Sequence, residues 1–398
     1  DINNNPDNPV IGIRSFGEDP RLVADFVAAA VRGYQQAGIV TSLKHFPGHG
    51  DTATDSHLAL PTLPHTRERL EHVELLPFVK GITAGADSIM VAHLYLPALT
   101  RQDTRPASVA PAMVQGLLRE QLAFDGVVIT DCLEMRAIRN TVGTEQGAVM
   151  ALQAGCDMVL ISHHLPQQQA SIAAIKAAAH DGRLNHERIQ QAAERVMRLK
   201  ARMLSWNEAL ASVPVPGTPL IDVSQLQQQA YERSITLVRN TAGLIPLSLS
   251  PEQRLLIITA QAHVSPAVDG NVASSAAFFV DEIRRRHPAT DHIYLSHSST
   301  YANILQKAQT ASLILVITAN ATRDVHQQEL VQRIIQADRP VIGLAVYNPY
   351  DISAFPQLET YLATYEYTRP ALAAATRVIF GEIPAQGHLP ISLPGWQR

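Results

Sequence analysis

Gly126-Val127-Val128-Ile129-Thr130-Asp131 joins a glycine, four consecutive β-branched residues and a carboxylate. Three more short, continuous apolar runs share this character, at Ile39–Leu43, Ser88–Ala92 and Met158–Ile161. Helical spacing of apolar residues predicts helices between and around them, over 20–37, 67–84, 109–123, 166–181 and 185–204. Uninterrupted apolar strands that alternate with helices are typical of a parallel sheet covered on both faces. The first half of the chain is therefore predicted to be α/β.

A proline-rich stretch over 213–219 interrupts this alternation. Proline lacks an amide donor and disfavours both helix and strand, so we place the domain boundary there. The prediction is a first domain over 1–212, a linker over 213–222 and a C-terminal α/β sandwich domain over 223–398. Its predicted strands are Ile235–Val238, Leu255–Thr259, His292–Leu295, Leu313–Thr318 and Val341–Val346, and its predicted helices are 276–286 and 325–337.

The first domain is predicted to be part of a TIM-type barrel. It shows four clear strands and an extended segment over 1–10, whereas a closed (β/α)8 barrel has eight strands. Asp1–Pro6 has the character of a strand end that runs into a turn. We therefore expect this chain to start inside the barrel, and we expect any targeting segment to have been removed or not to be represented.

Composition restricts the partners. Of 398 residues, 32 are Lys or Arg and 36 are Asp or Glu, a net charge of −4 that disfavours nucleic acid. The apolar runs are shorter than ten residues, against the ~20 that a membrane-spanning helix needs. The two cysteines exclude a disulfide framework and a thiolate zinc cluster. We expect a small-molecule substrate and no cofactor or metal; compartment and oligomeric state stay open.

Polar side chains end all four apolar runs of the first domain. Lys44-His45, His93, Asp131 and Ser162-His163-His164 follow them in turn. In a parallel α/β architecture the carboxyl ends of the strands form the functional face. The four endings together predict a ring of site residues.

Lys44 and Asp131 each have an alternative role. Lys44 is one of only five lysines, and with His45 it favours a polar ligand; the alternative is a lysine that extends from a strand end into solvent. Asp131 fits a nucleophile or a metal ligand, and the alternative is an N-cap of the next helix.

The polar loop over 46–57 contains two glycines and carries Asp55 and His57 one residue apart. A hydrogen bond between them would fix the imidazole tautomer and raise the pKa of the ring, which suits a proton shuttle near neutral pH. The alternative is a helix-capping aspartate beside an unrelated histidine.

Several motifs resemble one family. These are Lys44–Gly50 (KHFPGHG), Asp55–His57, Leu60-Pro61, Asn8–Gly17, Thr130–Met135 and, near the C-terminus, Gly381–Pro384 and Gly387–Pro390. In this order they are similar to the β-N-acetylhexosaminidase branch of glycoside hydrolase family 3, in its two-domain type. The resemblance spans nearly the whole chain.

The resemblance implies a bacterial retaining hydrolase that removes terminal β-linked N-acetylglucosamine from peptidoglycan or chitin-type fragments. It makes Asp131 the nucleophile and His57, paired with Asp55, the acid/base. It also implies that Arg14, Lys44 and His45 bind sugar hydroxyls, and we add His93 as a further pocket candidate. Retaining hydrolysis needs this division between a nucleophile and a group that donates and then accepts a proton.

The family keeps another sugar-binding aspartate in strands that would precede Asp1. An incomplete barrel exposes strand edges, so we expect activity of the intact protein and not necessarily of these residues alone.

Three alternatives stay open. Phosphate could replace water as the acceptor of the sugar on the same site. A lysine, histidines and an aspartate at barrel strand ends could instead hold the zinc pair of an amidohydrolase, although its His-x-His pair is not seen here. A sugar-binding module would not need Asp131, Asp55 and His57 together. The preferred aglycone also stays open.

Overall fold

A computed structural model of the chain describes residues 1–56, 58–100, 103–205, 207, 210, 222–260, 272–295 and 301–393. The described residues form two compact units, one up to residue 210 and the other from residue 222 onward. Of the predicted linker over 213–222, only Asp222 is described, so the predicted domain limits stay a prediction.

Four parallel strands form the sheet of the first unit in sequential order. They are β1 (Ser42–Phe46), β2 (Ser88–Val91), β3 (Val127–Cys132) and β4 (Met158–Leu160). The helices are α1 (Pro20–Gln36), α2 (Arg67–His72), α3 (Leu76–Thr83), α4 (Pro97–Thr100), a π-helix (Ala112–Gln121), α5 (Arg136–Arg139), α6 (Thr144–Ala154), α7 (Leu165–His180) and α8 (His186–Met203). Sequential parallel strands joined by helices are the arrangement of a βα-barrel, whereas the strand order of a doubly wound sheet reverses.

Local chemistry explains where the helices begin and end. The Asp19 carboxylate caps α1 by accepting the amides of Arg21 and Leu22 at 2.8 and 2.9 Å. The single helix predicted over 67–84 is wrong, because α2 and α3 are separate. Pro77 lacks an amide hydrogen and cannot continue the hydrogen-bond ladder of α2 into α3.

The strand predicted at Ile39–Leu43 is displaced. The structure begins β1 at Ser42, which pairs with Ser88, and leaves Ile39 52% exposed. The Thr41 amide donates to the Asp87 carboxylate at 2.7 Å, which fixes where the strand pairing starts. Consequently Lys44 lies inside β1 and does not follow it. In the same way β3 extends through Asp131 to Cys132.

Two buried carboxylates hold the amino-terminal ends of strands. Asp87, directly before β2, forms an ion pair with Arg202 of α8. Asp157, directly before β4, pairs with Arg119 at 2.5 Å and with Arg188 at 2.7 Å. Both carboxylates are fully buried. These ion pairs connect the starts of β2 and β4 to the π-helix and to α8.

Apolar side chains of the first unit pack between the sheet and its helices. Phe46 of β1 and Phe78 of α3 meet edge to face with ring centroids 5.3 Å apart, and Ile89 and Val128 are fully buried. None of the described helices is both long enough and apolar enough to cross a membrane.

The second unit contains a six-stranded sheet in the order β5-β10-β9-β8-β6-β7, in which only the β5–β10 pair is antiparallel. Its strands are β5 (Thr236–Asn240), β6 (Leu255–Ala260), β7 (Thr290–Leu295), β8 (Leu313–Thr318), β9 (Val341–Ala345) and β10 (Thr360–Ala363). Its helices are α9 (Ser224–Ser234), α10 (Val272–Arg286), α11 (Tyr301–Thr310), α12 (Val325–Ile335) and α13 (Arg369–Ile379). Every residue of β8 and β9 is buried, as expected of strands covered on both faces.

Candidate active site

Asp131 lies near the carboxyl end of β3, one residue before the strand ends. Its carboxylate Oδ1 accepts a hydrogen bond from the Cys132 amide at 2.7 Å, and the residue is half-buried. The next helix, α5, has Met135 at its N-cap. Asp131 therefore does not cap that helix, which removes the structural alternative considered for it.

Among the described residues, the negative charge of Asp131 acts on four basic side chains. They are Arg14, His45, His49 and His93. Burial is the largest influence on the pKa of each and lowers it, whereas the Asp131 carboxylate opposes burial and raises it. Asp131 is thus the shared acidic neighbour of the Arg14 guanidinium and of three histidine rings that burial keeps neutral at pH 7.

His45 is oriented by a carboxylate that the sequence did not single out. Its ring Nδ1 lies 2.7 Å from the Asp1 carboxylate, which also accepts the His45 amide at 3.1 Å and the His49 amide at 2.7 Å. Because Nδ1 donates to Asp1, Nε2 is the ring nitrogen that can meet a ligand. No pattern in the sequence linked Asp1 to a residue more than forty positions away.

Arg14 and Lys44 line the same pocket of about 300 Å³, together with Asp1 and apolar side chains of α1 and α3. Asp131 and His45 are not part of its lining, so the sugar-binding roles of Arg14 and Lys44 stay a prediction. The Arg14 guanidinium donates to the Val10 carbonyl at 2.8 and 3.0 Å, which fixes its direction. The Lys44 side chain is exposed, whereas the His45 side chain is buried.

The loop that follows β1 is held by a neutral histidine. His49 Nδ1 lies 2.8 Å from the Thr52 hydroxyl, and Nε2 lies 3.0 Å from the Ser56 hydroxyl. Burial lowers the pKa of His49 to about 4, so the ring is neutral at pH 7. A neutral imidazole donates at one nitrogen and accepts at the other, and two hydroxyls satisfy both. His49 therefore stiffens the loop.

Close backbone packing fixes the same loop from the other side. The Asn8 side-chain amide donates to the His49 carbonyl at 2.8 Å. A Cβ atom on Gly50 would lie 1.6 Å from the Ile2 carbonyl oxygen, so only glycine fits there. Asn8 and Gly50 belong to the motifs quoted from the sequence, but their contacts could not be derived from it.

Asp55 and Ser56 lead this loop toward Asp131. Asp55 is half-buried, and its charge opposes the burial that lowers the pKa of Arg14. The next helix in the described region is α2, which begins at Arg67, so Asp55 does not cap a helix. The Ser56 carbonyl accepts the Ala137 amide of α5 at 3.3 Å, which fastens the loop to the segment after β3. His57 lies outside the described residues, so its pairing with Asp55 stays a prediction.

His93 is engaged by the protein at both ring nitrogens. Nδ1 lies 2.8 Å from the Ser108 hydroxyl and Nε2 lies 2.9 Å from the Cys132 carbonyl, and the residue is 1% exposed. A carbonyl only accepts, so Nε2 carries the proton. This geometry favours a positioning role beneath the end of β3 over the predicted contact with substrate.

Two groups of metal-ligating side chains lie close together in the part of the chain that the structure describes. They are Cys132 with Glu134 and His163, and Asp51 with His65 and Glu74. In the second group Arg69 already pairs with Glu74 at 3.2 Å and lies 3.8 Å from Asp51. Neither group includes Asp131 or His45, which the amidohydrolase alternative would need for its zinc pair.

Comparison with known families agrees with this arrangement. Residues 1–199 match the glycosyl hydrolase family 3 N-terminal domain, and residues 235–397 match the glycosyl hydrolase family 3 C-terminal domain. The chain belongs to glycosyl hydrolase family 3. The predicted family and enzyme class are thereby confirmed.

Individual members of the family are similar along the whole chain. Beta-hexosaminidase A of Pseudoalteromonas piscicida is 28% identical over 436 residues, covering 99% of this chain and 72% of that protein. A family 3 beta-N-acetylglucosaminidase structure from Paenibacillus sp. str. FPU-7 is 36% identical with a TM-score of 0.89, covering 99% of this chain and 75% of that one.

A fungal multi-domain beta-N-acetylglucosaminidase of family 3 is 40% identical with a TM-score of 0.92. The chain is covered completely but spans 46% of that protein. These structures confirm the predicted fold class, a TIM-type barrel domain followed by an α/β sandwich domain.

Proposed function

We propose that this enzyme removes terminal β-linked N-acetylglucosamine with retention of configuration. The observation that carries the proposal is Asp131, a half-buried carboxylate at the carboxyl end of β3 that faces a cluster of basic side chains. The similar proteins named beta-hexosaminidase and beta-N-acetylglucosaminidase support the choice of sugar.

In the first step, a carboxylate oxygen of Asp131 attacks the anomeric carbon while the bond from that carbon to the leaving oxygen breaks. His57 donates its proton to the leaving oxygen, and Asp55 holds the ring in the tautomer that does so. The Cys132 amide fixes the orientation of the attacking carboxylate through its hydrogen bond to Oδ1.

In the second step, His57 takes a proton from water, and the water oxygen attacks the anomeric carbon. The bond to Asp131 breaks and the sugar leaves with its original configuration. The neutral ring of His49, with its lowered pKa and two hydroxyl partners, is not suited to this exchange at neutral pH.

The basic side chains hold the sugar during both steps. Arg14 and Lys44 are cations that can donate charge-assisted hydrogen bonds to sugar hydroxyls, and such bonds typically contribute ~1.5–3 kcal/mol each. Burial lowers the pKa of His45 to about 3, so its ring is neutral; with Nδ1–H donated to Asp1, Nε2 can accept a hydrogen bond from a sugar hydroxyl. Peptidoglycan fragments and chitin-type oligosaccharides both end in β-linked N-acetylglucosamine and are the proposed substrates.

The direct test compares turnover of a nitrophenyl β-N-acetylglucosaminide with that of the matched β-glucoside. We expect the N-acetylglucosaminide to be preferred and the β-anomer of free N-acetylglucosamine to appear first by NMR. Preference for the glucoside would overturn the proposed substrate, and the α-anomer as first product would overturn the retaining mechanism. A parallel reaction in phosphate buffer separates hydrolysis from phosphorolysis, because phosphorolysis yields a sugar phosphate.

A further inference from the structure

Three potential metal ligands meet beside the ends of β3 and β4. Cys132 ends β3 and pairs with Leu160 of β4, which brings the segments after both strands together. The thiol of Cys132, a carboxylate oxygen of Glu134 and a ring nitrogen of His163 all lie within 4.8 Å of one another. Cys132 is half-buried and His163 is exposed, so solvent can reach the cluster.

Glu134 is held in place by the backbone after β4. Its side chain is 5% exposed, and its carboxylate accepts the amides of Ser162 and His163 at 2.7 Å and of His164 at 2.9 Å. The His164 ring nitrogen Nδ1 lies 2.7 Å from the carboxylate oxygen Oε1. A firmly oriented carboxylate therefore faces the thiol of Cys132.

We infer that Cys132, Glu134 and His163 bind a thiophilic divalent cation such as Zn²⁺, and that the bound cation slows glycoside cleavage. Thiolate, imidazole and carboxylate are the ligands that Zn²⁺ takes in proteins. Zinc bonds of ~2.3 Å to sulfur and ~2.1 Å to oxygen in a tetrahedron place the two atoms ~3.6 Å apart. The Cys132 Sγ to Glu134 Oε2 distance is 3.6 Å.

Binding requires no redox chemistry. The cation displaces the thiol proton of Cys132 into solvent, and the thiolate, the Glu134 carboxylate and the neutral His163 ring supply the three bonds. The two negative charges balance the divalent cation, and water fills the fourth position. The cluster of Asp51, His65 and Glu74 lacks this balance, because Arg69 already supplies its positive charge.

Slower cleavage follows from the place of the site in β3. Cys132 is the residue after Asp131, and its amide holds the Asp131 carboxylate at 2.7 Å. The bound cation adds one positive charge in exchange for the thiol proton and joins the ends of β3 and β4, which disfavours attack by Asp131. This consequence rests on the proposed function; the binding itself does not.

Binding is measured with Co²⁺, whose thiolate complexes show a near-ultraviolet charge-transfer band. We expect one equivalent to saturate the band in the reduced wild-type protein and Zn²⁺ to abolish it. Cys132→Ser should remove the band, and His163→Asn should weaken Co²⁺ binding about tenfold or more, the scale of effects at metal sites. The matched controls should keep it; they are Cys156→Ser and His186→Asn, a histidine exposed at the start of α8 and outside the cluster.

The proposed site is overturned if the wild type shows no band, or if Cys132→Ser and His163→Asn both keep it at wild-type affinity. Inhibition by Zn²⁺ is then compared for each variant with its own metal-free rate. We expect His163→Asn to need about tenfold more Zn²⁺ than the wild type and His186→Asn to need the same amount. Equal inhibition of His163→Asn and wild type would overturn the inhibitory role. A cobalt band in a protein without glycosidase activity would retain the site and contradict the proposed function.

Discussion

The two ends of the sheet in the first unit use charge in opposite ways. At the amino-terminal ends, Asp87 and Asp157 are fully buried and paired with arginines. At the carboxyl-terminal ends, Asp55 and Asp131 are half-buried and face basic groups that a ligand can reach. The difference separates carboxylates that hold the fold from carboxylates that remain available for chemistry, as barrel architecture predicts. Substitutions at the amino-terminal ends should therefore lower stability, whereas substitutions at the carboxyl-terminal ends should lower activity.

The largest effect is expected at Asp131. Asp131→Ala should abolish turnover even on an activated aryl glycoside, because it removes the group that forms the covalent bond to the sugar. Thermal unfolding should stay close to that of the wild type, since the site is half-buried. Retention of more than a small fraction of the activity would show that Asp131 has only a structural role. The proposed difference between the two ends of the sheet would then be wrong.

The second effect concerns the proton shuttle. His57→Ala should slow substrates with poor leaving groups ~10²–10⁴-fold and glycosylation by a nitrophenyl substrate much less, because only a poor leaving group needs its oxygen protonated. Azide should restore turnover by attacking the glycosyl-enzyme without a base, and Asp55→Asn should show a milder form of the same defect. Equal losses on both substrates and no response to azide would show that His57 does not transfer the proton.

The third effect lies at the amino-terminal end and is one of stability. Asp157→Ala leaves Arg119 and Arg188 without their buried partner, which typically costs ~3–5 kcal/mol. Denaturant unfolding should shift by this amount while the kcat of the remaining folded enzyme stays near the wild-type value. A variant with normal stability and low kcat would reverse the roles of the two ends.

The smallest effect is expected at Lys44. Lys44→Ala should lower kcat/KM through the loss of one charge-assisted hydrogen bond, ~1.5–3 kcal/mol or about 10–150-fold. Lys80→Ala on α3 is the matched control, since that lysine is exposed and outside the pocket of Arg14 and Lys44. An unchanged kcat/KM for Lys44→Ala would restore the alternative of a lysine that only extends into solvent.

Much of the fold could be predicted from local patterns. The run Leu313–Thr318 is a strand as predicted, because a continuous apolar stretch of this length fits a buried parallel strand. The start of β1 could not be predicted, because it depends on Asp87, a residue far along the chain, accepting the Thr41 amide. Strand β10 could not be predicted either, because its four residues, all buried, form too short an apolar run to stand out.

The candidate site shows the same division. Asp131 and Lys44 could be located because they stand out in or beside apolar runs. Other features depend on contacts between distant segments: Asp1 orients His45, and both ring nitrogens of His93 are hydrogen-bonded to other parts of the chain. A sequence therefore indicates which groups can act, whereas only the folded contacts show which of them are already engaged.

The central claim is that Asp131 forms a covalent bond with the sugar. A 5-fluoro N-acetylglucosaminyl donor with a good leaving group slows both steps but leaves the first one feasible, so the glycosyl-enzyme should accumulate. Peptide mass spectrometry of the intact protein after this treatment locates the sugar directly. The account predicts a single fluorosugar adduct on Asp131, absent from Asp131→Ala; an adduct on another residue, or steady release of product with no adduct on Asp131, would contradict it.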